Sequence, residues 1–336
     1  MEDLLALYGG LADLSGPEDL YVARVIDGRP SYRIAKDAHG NPTLLVASEP
    51  SPDAASVPPL ELRNLSFRAR CLCRVRQDGV TDSVEIVAVL KCTTDDLMLR
   101  EYFLRCLSGT VAALPATPTE EILAVAVSKL VELFHALETP PRRSLQGLWC
   151  ELFLIARAPK IRQAAAAWHA HPNALHDFAT GRQRVEVKSS TGLHRRHQFH
   201  LEQLLPPHGT DAVIASFMLD ESGRGSSIAE IWDEVSRRRE LTVDLRNRLL
   251  QILALALGRD WRKTKRVAFD PDAASNALRF YDAITIPKVD PSLPVEVSNV
   301  RFSSELTDVP SLPLTEVTRR GGLFEAMFGY AKHTSL

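Results

Sequence analysis

The stretch from His176 to Lys188 constrains the fold of this chain more than any other part of its sequence. A turn signal at Gly181–Arg182 divides it, and beyond the turn two valines alternate with Glu186 and Lys188. In a β-strand this alternation places both valines on one face and both charges on the other. A turn centred on Gly181–Arg182 sets Asp177 opposite Glu186, with Cβ atoms about 5 Å apart. The sequence therefore predicts a hairpin with two carboxylates and a lysine on one face.

These three charged residues indicate a chemistry as well as a fold. Two carboxylates this close repel each other strongly unless a cation lies between them. Oxygen ligands without a cysteine favour Mg²⁺ or Mn²⁺, whose bound waters can supply a nucleophile. Lys188 would orient or help deprotonate that water, or neutralise charge developing on a phosphate. The simpler alternative for a lone Glu-x-Lys is a solvated strand face, although this chain contains no second Glu-x-Lys and no Asp-x-Lys.

A third acid, Glu151, lies in the apolar helical stretch Gly147–Leu154 that precedes the hairpin. No lysine or arginine stands three or four residues away from it in either direction. Burial of such a carboxylate is costly unless it faces a metal ion or hydrogen-bond donors. Packing of this helix against the hairpin would place Glu151 at the edge of the cation. Considered alone, Glu151 fits an exposed position on the polar side of the helix equally well.

Basic residues are concentrated around these acids. The formal net charge is −2, yet Pro141–His200 contains ten Lys or Arg and six of the ten histidines. Its only acids are Glu151, Asp177 and Glu186. A basic middle between acidic flanks is typical of a polyanion-binding surface, although windows of this size also fluctuate in composition.

The order of helix-borne Glu151, Asp177 at the start of a hairpin and then Glu186-x-Lys188 resembles the PD-(D/E)XK, or restriction-endonuclease-like, superfamily. More narrowly, short motifs along the chain resemble a bacterial family of PD-(D/E)XK motif proteins: Gly147-Leu148-Trp149-Cys150-Glu151-Leu152, Trp168, His176-Asp177-Phe178, Val185-Glu186-Val187-Lys188-Ser189-Ser190 and Gln203-Leu204. His176 replaces the proline that usually precedes the first aspartate, a departure that leaves the metal ligands intact.

This resemblance implies an α/β (α+β) fold with a restriction-endonuclease-like mixed sheet flanked by helices. It also implies that Asp177, Glu186 and the Val187 carbonyl bind the metal ion, with Glu151 at its edge, and that Lys188 is catalytic. Mg²⁺ or Mn²⁺ is the expected cofactor.

Four further residues are candidate substrate contacts. Ser190 follows the catalytic strand and would either hold a phosphate or simply end the strand. Arg196 and His200 are predicted to point to the same face as the site, so Arg196 would contact phosphate, and a solvated edge is equally consistent. Gln203 begins the next predicted helix and would approach the metal or the substrate, whereas a hydrogen bond at the helix start explains it as well.

Composition and turn signals divide the chain into three segments. Residues 1–115 are predicted to form an acidic, β-rich α+β domain that contributes nothing to the metal site, with a hairpin around Asp78–Gly79. Residues 116–286 are predicted to form the nuclease-like domain, and residues 287–336 strands and a tail that pack on its core. A helix over Glu120–Leu137, followed by Thr139–Pro140–Pro141, marks the connection.

Missing signals exclude several classes of protein. We expect no signal peptide and no membrane span, because no apolar run is long enough. The five cysteines lack the spacing of a disulfide framework or a zinc site, which favours a reducing, cytoplasmic setting. The motifs of P-loop ATPases, serine hydrolases and zinc proteases are also absent.

The sequence therefore predicts a Mg²⁺-dependent endonuclease that acts on DNA. The resemblance implies a bacterial restriction or phage-defence system, with an ATPase or other subunits of a defence operon as partners. Cutting both strands would favour a homodimer. The alternative is a catalytically silent nuclease-fold subunit that binds DNA or a partner in a defence complex.

Overall fold

A computed structural model describes the chain over residues 3–50, 57–77, 82–137, 143–170, 174–220, 225–290, 292, 294 and 296–329. The chain divides into two units, Met1–Thr139 with Arg246–Gln251 and Pro140–Leu245 with Ile252–Leu336. The predicted turn at Asp78–Gly79 and the predicted break at Thr139–Pro140–Pro141 lie outside the described residues.

Six strands form the sheet of the first unit: β1 (Leu20–Ile26), β2 (Arg29–Lys36), β3 (Pro42–Val46), β4 (Leu60–Glu61), β5 (Leu65–Gln77) and β6 (Ser83–Cys92). Their order is β1-β2-β3-β6-β5-β4, and β1 also pairs in parallel with β5, so five of them close into a barrel. Alternate residues of β5, such as Phe67, Cys73 and Val75, are buried, while the residues between them are largely exposed. Cys73 and Val75 belong to the core inside the barrel, whereas Phe67 lies with residues of the helices that cover the sheet. Strand β5 pairs with β6 in the predicted antiparallel hairpin.

The described residues before 138 also form α1 (Leu4–Gly9), α2 (Leu97–Ala113) and α3 (Glu120–Ala136). Thr119 begins α3 by accepting a hydrogen bond from the Ile122 N–H. The predicted apolar stripe of α3 is buried, and the helix packs against β5. The division between the units therefore falls after α3, downstream of the boundary that the sequence suggested near residue 115.

The second unit contains most of the remaining elements. Its helices in the described part of the chain are α4 (Leu145–Arg157), α5 (Ile161–Ala167), α6 (Ile228–Ser236), α7 (Val243–Leu257), α8 (Pro271–Ala277), α9 (Leu314–Arg319) and α10 (Gly322–Phe328). The middle of α7, Arg246–Gln251, falls in the first unit. Its strands are β7 (Phe178–Thr180), β8 (Gln183–Ser190), β9 (Arg196–His200), β10 (Asp211–Met218), β11 (Ser226–Ser227), β12 (Ala268–Phe269), β13 (Arg279–Asp282) and β14 (Arg301–Glu305). Short 3₁₀ helices cover Leu201–Leu204, Gly258–Lys263 and Ala283–Thr285.

The sheet of the second unit is mixed, with the order β13-β10-β8-β7. Strands β8 and β10 are parallel, while β7–β8 and β10–β13 are antiparallel. Helix α4 packs on β8 and α8 packs on β10, so the predicted mixed sheet flanked by helices is confirmed. Within the described residues, no strand of the N-terminal barrel joins this sheet.

The C-terminal region contributes to the same unit. Strand β14 pairs with β9 as a separate two-stranded sheet, and α10 packs against α5 and α4. Across the part of the chain that the structure describes, every helix is too short or too polar to cross a bilayer.

Candidate active site

Helix α4 carries Glu151 into the interior of the second unit. Ser144 begins this helix by accepting a hydrogen bond from the Gly147 N–H, and every residue from Leu148 to Ala156 is buried. Glu151 is only 2 % exposed, so the alternative of a solvated helix face is wrong. Its carboxylate receives the Trp168 Nε1–H at 2.7 Å on Oε2 and the Arg143 Nη1–H at 2.8 Å on Oε1.

The predicted hairpin is present, with the predicted register. Phe178 pairs with Val185 across β7 and β8, and the turn lies at Gly181–Arg182. Gly181 has φ +50°, a conformation that glycine adopts without a steric penalty. Asp177 immediately precedes β7, so the same register sets it opposite Glu186.

Asp177 is 4 % exposed, and both of its oxygens have partners. Oδ2 accepts a hydrogen bond of 2.8 Å from the Val187 N–H of the neighbouring strand. Oδ1 accepts one of 2.7 Å from Arg143 Nη1. The hairpin backbone therefore fixes one oxygen, while the other faces a cationic side chain.

Glu186 and Lys188 are joined by a third residue, Gln203. Lys188 Nζ lies 2.7 Å from Glu186 Oε1 and 3.2 Å from Gln203 Oε1, and 5.1 Å from the centre of the Phe199 ring. Gln203 Nε2 donates to the same Glu186 oxygen at 2.6 Å. Glu186 Oε2 is buried and has no hydrogen-bond partner among the described residues.

Burial and the neighbouring carboxylates oppose ionisation of Glu186 and Asp177. Burial, together with the negative charge of Asp177, raises the pKa of Glu186 to about 8 despite the nearby Lys188. Burial and the charge of Glu151 likewise raise the pKa of Asp177. Burial also acts against ionisation of Glu151, but hydrogen bonds and charges from His169 and Arg143 outweigh it and lower its pKa. A cation bound between these carboxylates would favour their ionised forms.

The residues present fit a hard divalent cation. Three buried carboxylates, one with an oxygen that lacks a partner in the part of the chain that the structure describes, supply the oxygen ligands that Mg²⁺ and Mn²⁺ prefer. Among the described residues, the group whose ligand atoms lie within 4.8 Å of one another, close enough to share one ion, is Glu151, His169 and Asp177, and Glu186 is not part of it. The predicted role of the Val187 carbonyl stays a prediction, since the described contact of this residue is made by its N–H.

Two residues of this site were not identified from the sequence, Arg143 and His169. His169 Nε2 lies 2.8 Å from Glu151 Oε2, and its Nδ1 lies 3.4 Å from Arg143 Nη2. Its backbone has φ +40°, which is uncommon for a residue other than glycine and is found more often at functional sites. The only sequence signal was general, since both residues lie in the basic, histidine-rich window.

Of the four predicted substrate contacts, the structure brings Gln203 into the site. His200, which begins the 3₁₀ helix that carries Gln203, donates its backbone N–H to Gln203 Oε1. The Ser190 hydroxyl donates to the His194 carbonyl and accepts from the Gly192 N–H, which fits the end of a strand. Arg196 is exposed, and its guanidinium lies 3.5 Å from the Glu305 carboxylate on β14.

A comparison with family models bears on this geometry. The model described as "Putative PD-(D/E)XK family member, (DUF4420)" matches residues 10–307. No curated protein and no solved structure matches the chain. The matched residues include most of both units and all of the carboxylates described above.

Proposed function

The chain belongs to this family, DUF4420, and on that premise we propose that its second unit is a metal-dependent nuclease that hydrolyses phosphodiester bonds of DNA. In this proposal Glu151, Asp177 and Glu186 hold the divalent cation, and Lys188 acts on the reacting groups. The observation that carries the proposal is the set of three buried carboxylates, two of which, Glu151 and Asp177, lie close enough to share an ion, while Glu186 has an oxygen without a partner in the described part of the chain. Buried charge of this kind is costly unless a bound cation compensates it.

A bound divalent cation supplies the same chemistry in any such site, whereas the contacts of Lys188 are particular to this chain. A bound Mg²⁺ or Mn²⁺ supplies a Lewis acid for the phosphate and an acidified water. The ammonium group of Lys188 has three donors, of which two are directed at Glu186 Oε1 and Gln203 Oε1. The third can donate to an attacking water or to a phosphate oxygen. Gln203, which contacts both charged partners, holds this ammonium group in one position.

The choice of DNA is supported by the basic composition around the site. Pro141–His200 contains ten Lys or Arg, and its three acids are the proposed ligands. Such a surface attracts a phosphate backbone whatever its sequence. The defence context, the ATPase or other operon partners and the homodimer stay predictions from the resemblance.

A cleavage assay tests the proposal directly. Purified protein would be incubated with plasmid, linear duplex, single-stranded DNA and RNA, each with Mg²⁺, Mn²⁺ or EDTA. We expect cleavage of DNA that requires the divalent ion and is absent in Asp177→Ala. Asp290→Ala, which removes an exposed aspartate, is the matched control and should cut like the wild type.

A measurement of divalent-ion binding distinguishes a wrongly assigned metal site from a site that binds the ion but does not cleave nucleic acid. Asp177→Ala should also weaken Mn²⁺ binding, measured by calorimetry, because it removes a ligand oxygen. Cleavage that survives in purified Asp177→Ala would show that the assigned site is wrong. Mn²⁺ binding without cleavage of any nucleic acid would favour the catalytically silent binding subunit instead.

A further inference from the structure

Arg143 lies inside the carboxylate cluster, although no sequence pattern assigned it there. Its Nη1 nitrogen donates to Glu151 Oε1 at 2.8 Å and to Asp177 Oδ1 at 2.7 Å. The two N–H bonds of this one nitrogen therefore connect a helix-borne carboxylate to the carboxylate of the hairpin. The carboxylates are almost fully buried, whereas the Arg143 side chain keeps 34 % of its surface exposed.

His169 completes the arrangement around the guanidinium. Its Nε2 lies 2.8 Å from the second oxygen of Glu151, and its Nδ1 lies 3.4 Å from Arg143 Nη2. A neutral imidazole with its proton on Nε2 satisfies both contacts, because it donates to the carboxylate and accepts from the guanidinium. Glu151, His169 and Asp177, whose ligand atoms lie within 4.8 Å of one another, are thus also the residues that surround the guanidinium.

The same oxygens cannot serve a guanidinium and a small divalent ion in the same way. A divalent ion held by Glu151 and Asp177 would lie within about 2–2.5 Å of their oxygens, where the Arg143 hydrogens now point. The ion and the guanidinium are both positive, so they would also repel each other at this separation. Binding of the ion therefore requires the guanidinium to withdraw, and the partly exposed side chain has a route towards solvent.

We propose that Arg143 is a displaceable internal counter-ion, which partly offsets the negative charge of Glu151 and Asp177 before the metal ion binds and competes with that ion for them. The proposal rests on the proposed function, because it takes these carboxylates as metal ligands. It explains how so much buried negative charge is tolerated in a metal-free protein. Arg143 then sets the concentration of divalent ion at which the site fills.

The test measures Mn²⁺ binding, not cleavage. Calorimetry, or the electron paramagnetic resonance signal of free Mn²⁺, would compare the wild type with Arg143→Gln and Arg143→Lys. Arg157→Gln is the matched control, because it removes an arginine at the other end of α4 whose ion pair is with Glu234 at 2.8 Å. We expect Arg143→Gln to bind Mn²⁺ about tenfold more tightly or better, because one competing charge is gone. Arg143→Lys should lie between the two, and Arg157→Gln should match the wild type.

Thermal unfolding provides a second measurement on the same proteins. In EDTA, Arg143→Gln should unfold at a lower temperature than the wild type, because two buried carboxylates lose their counter-ion. Saturating Mn²⁺ should raise its Tm by more than it raises that of the wild type. If Arg143→Gln folds only in Mn²⁺, the affinity comparison uses Arg143→Lys, which keeps a charge but lacks the second guanidinium nitrogen and its contact with His169.

The outcomes distinguish this inference from the proposed function. If Asp177→Asn loses Mn²⁺ binding but Arg143→Gln binds Mn²⁺ as the wild type does or more weakly, the metal site stands and the counter-ion role of Arg143 is overturned. If Asp177→Asn binds Mn²⁺ like the wild type, the metal site itself is wrong and both proposals fail.

Discussion

The two units each bury charge, but they do so in opposite ways. In the barrel, Asp37 pairs with Lys91 at 2.8 Å, and both of its oxygens receive further hydrogen bonds from the His39 and Asn41 N–H groups and the Asn41 side chain. The negative charge of Asp37 is therefore balanced by the positive charge of Lys91. Burial disfavours ionisation of Asp37, but these partners outweigh it and lower its pKa.

In the second unit, three buried carboxylates share Arg143 and Lys188, and one Glu186 oxygen has no partner among the described residues. The pKa of Glu186 is raised to about 8 by burial and by Asp177. This difference between the two units shows that a buried charge alone does not identify a functional site. A satisfied, balanced pair is structural, whereas excess charge of one sign with an unpartnered atom indicates that a further ion or ligand belongs there.

Removal of Lys188 should have the largest effect on activity. Lys188→Ala should reduce cleavage about 10²- to 10⁴-fold, because it removes a donor to the water or the phosphate. Mn²⁺ binding should remain, since the carboxylate ligands are intact. The measurement is the single-turnover cleavage rate, with calorimetry on the same protein.

Lys160→Ala, which breaks a half-exposed ion pair with Glu325, is the control and should cut normally. Undiminished cleavage by Lys188→Ala would remove this residue from the mechanism.

Removal of Lys91 should affect the barrel and leave the metal site unchanged. Lys91→Met leaves Asp37 buried without its counter-ion, which should destabilise the barrel by about 3 kcal/mol. Hydrogen exchange of β5 and β6 peptides should speed up about 10²-fold, and Mn²⁺ affinity should not change.

A compensating variant sharpens this test of the barrel. Asp37→Asn combined with Lys91→Met should recover part of the loss, because the unpaired charge is gone. If Lys91→Met slows or fails to change exchange in β5 and β6, the buried pair is not what stabilises the barrel, and the contrast between the units weakens.

The sequence predicted the features that depend on local pattern. The hairpin around Gly181 followed from alternation and one turn signal, and its register was confirmed. The burial of Glu151 was not decided, because it depends on what packs around α4. Likewise, the closure of the barrel by β1 and β5 joins strands far apart in the sequence.

Arg143 shows most clearly where the sequence was insufficient. It was counted only as one of ten basic residues, and nothing in Arg143-Ser144 indicates a contact with Asp177, which lies 34 positions further along the chain. Such a contact is created by the fold, when α4 and the hairpin meet. Charge composition therefore indicated the kind of surface, but the structure was needed to show which arginine enters the site.

Acid should destabilise the second unit through His197, a buried histidine outside the carboxylate cluster. Burial, together with the charges of Lys188 and Arg195, lowers its pKa to about 4, from about 6.5 in the unfolded chain. The unfolded state therefore binds more protons between these values, so this stability is present above pH 6.5 and is lost as pH falls towards 4. The full loss is about 3 kcal/mol.

The measurement exploits the positions of the four tryptophans, which all lie in the second unit. Urea unfolding followed by tryptophan fluorescence would compare the wild type with His197→Gln at pH 7 and pH 4.5. We expect the difference in free energy of unfolding between the two proteins to change by about 2 kcal/mol between these pH values, in favour of the variant in acid. A difference independent of pH would show that His197 does not titrate as the buried geometry implies.

The smallest expected effect is the difference between substitutions of two buried tryptophans, Trp168 and Trp149, whose indole N–H groups donate to different partners. Trp168 Nε1 donates to the Glu151 carboxylate at 2.7 Å, whereas Trp149 Nε1 donates to the neutral Ser226 carbonyl at the same distance. Both rings are fully buried, so Trp→Phe at either position costs a similar loss of packing. Hydrogen bonds to a charged group contribute about 1.5–3 kcal/mol and those between neutral groups about 1 kcal/mol. Trp168→Phe should therefore destabilise the metal-free protein by about 1 kcal/mol more than Trp149→Phe.

Because Trp168 also orients a proposed ligand, its loss should weaken Mn²⁺ binding several-fold, while Trp149→Phe should leave it unchanged. Equal effects of the two substitutions on Mn²⁺ binding would mean that Trp168 serves packing alone, and that Glu151 is held without it.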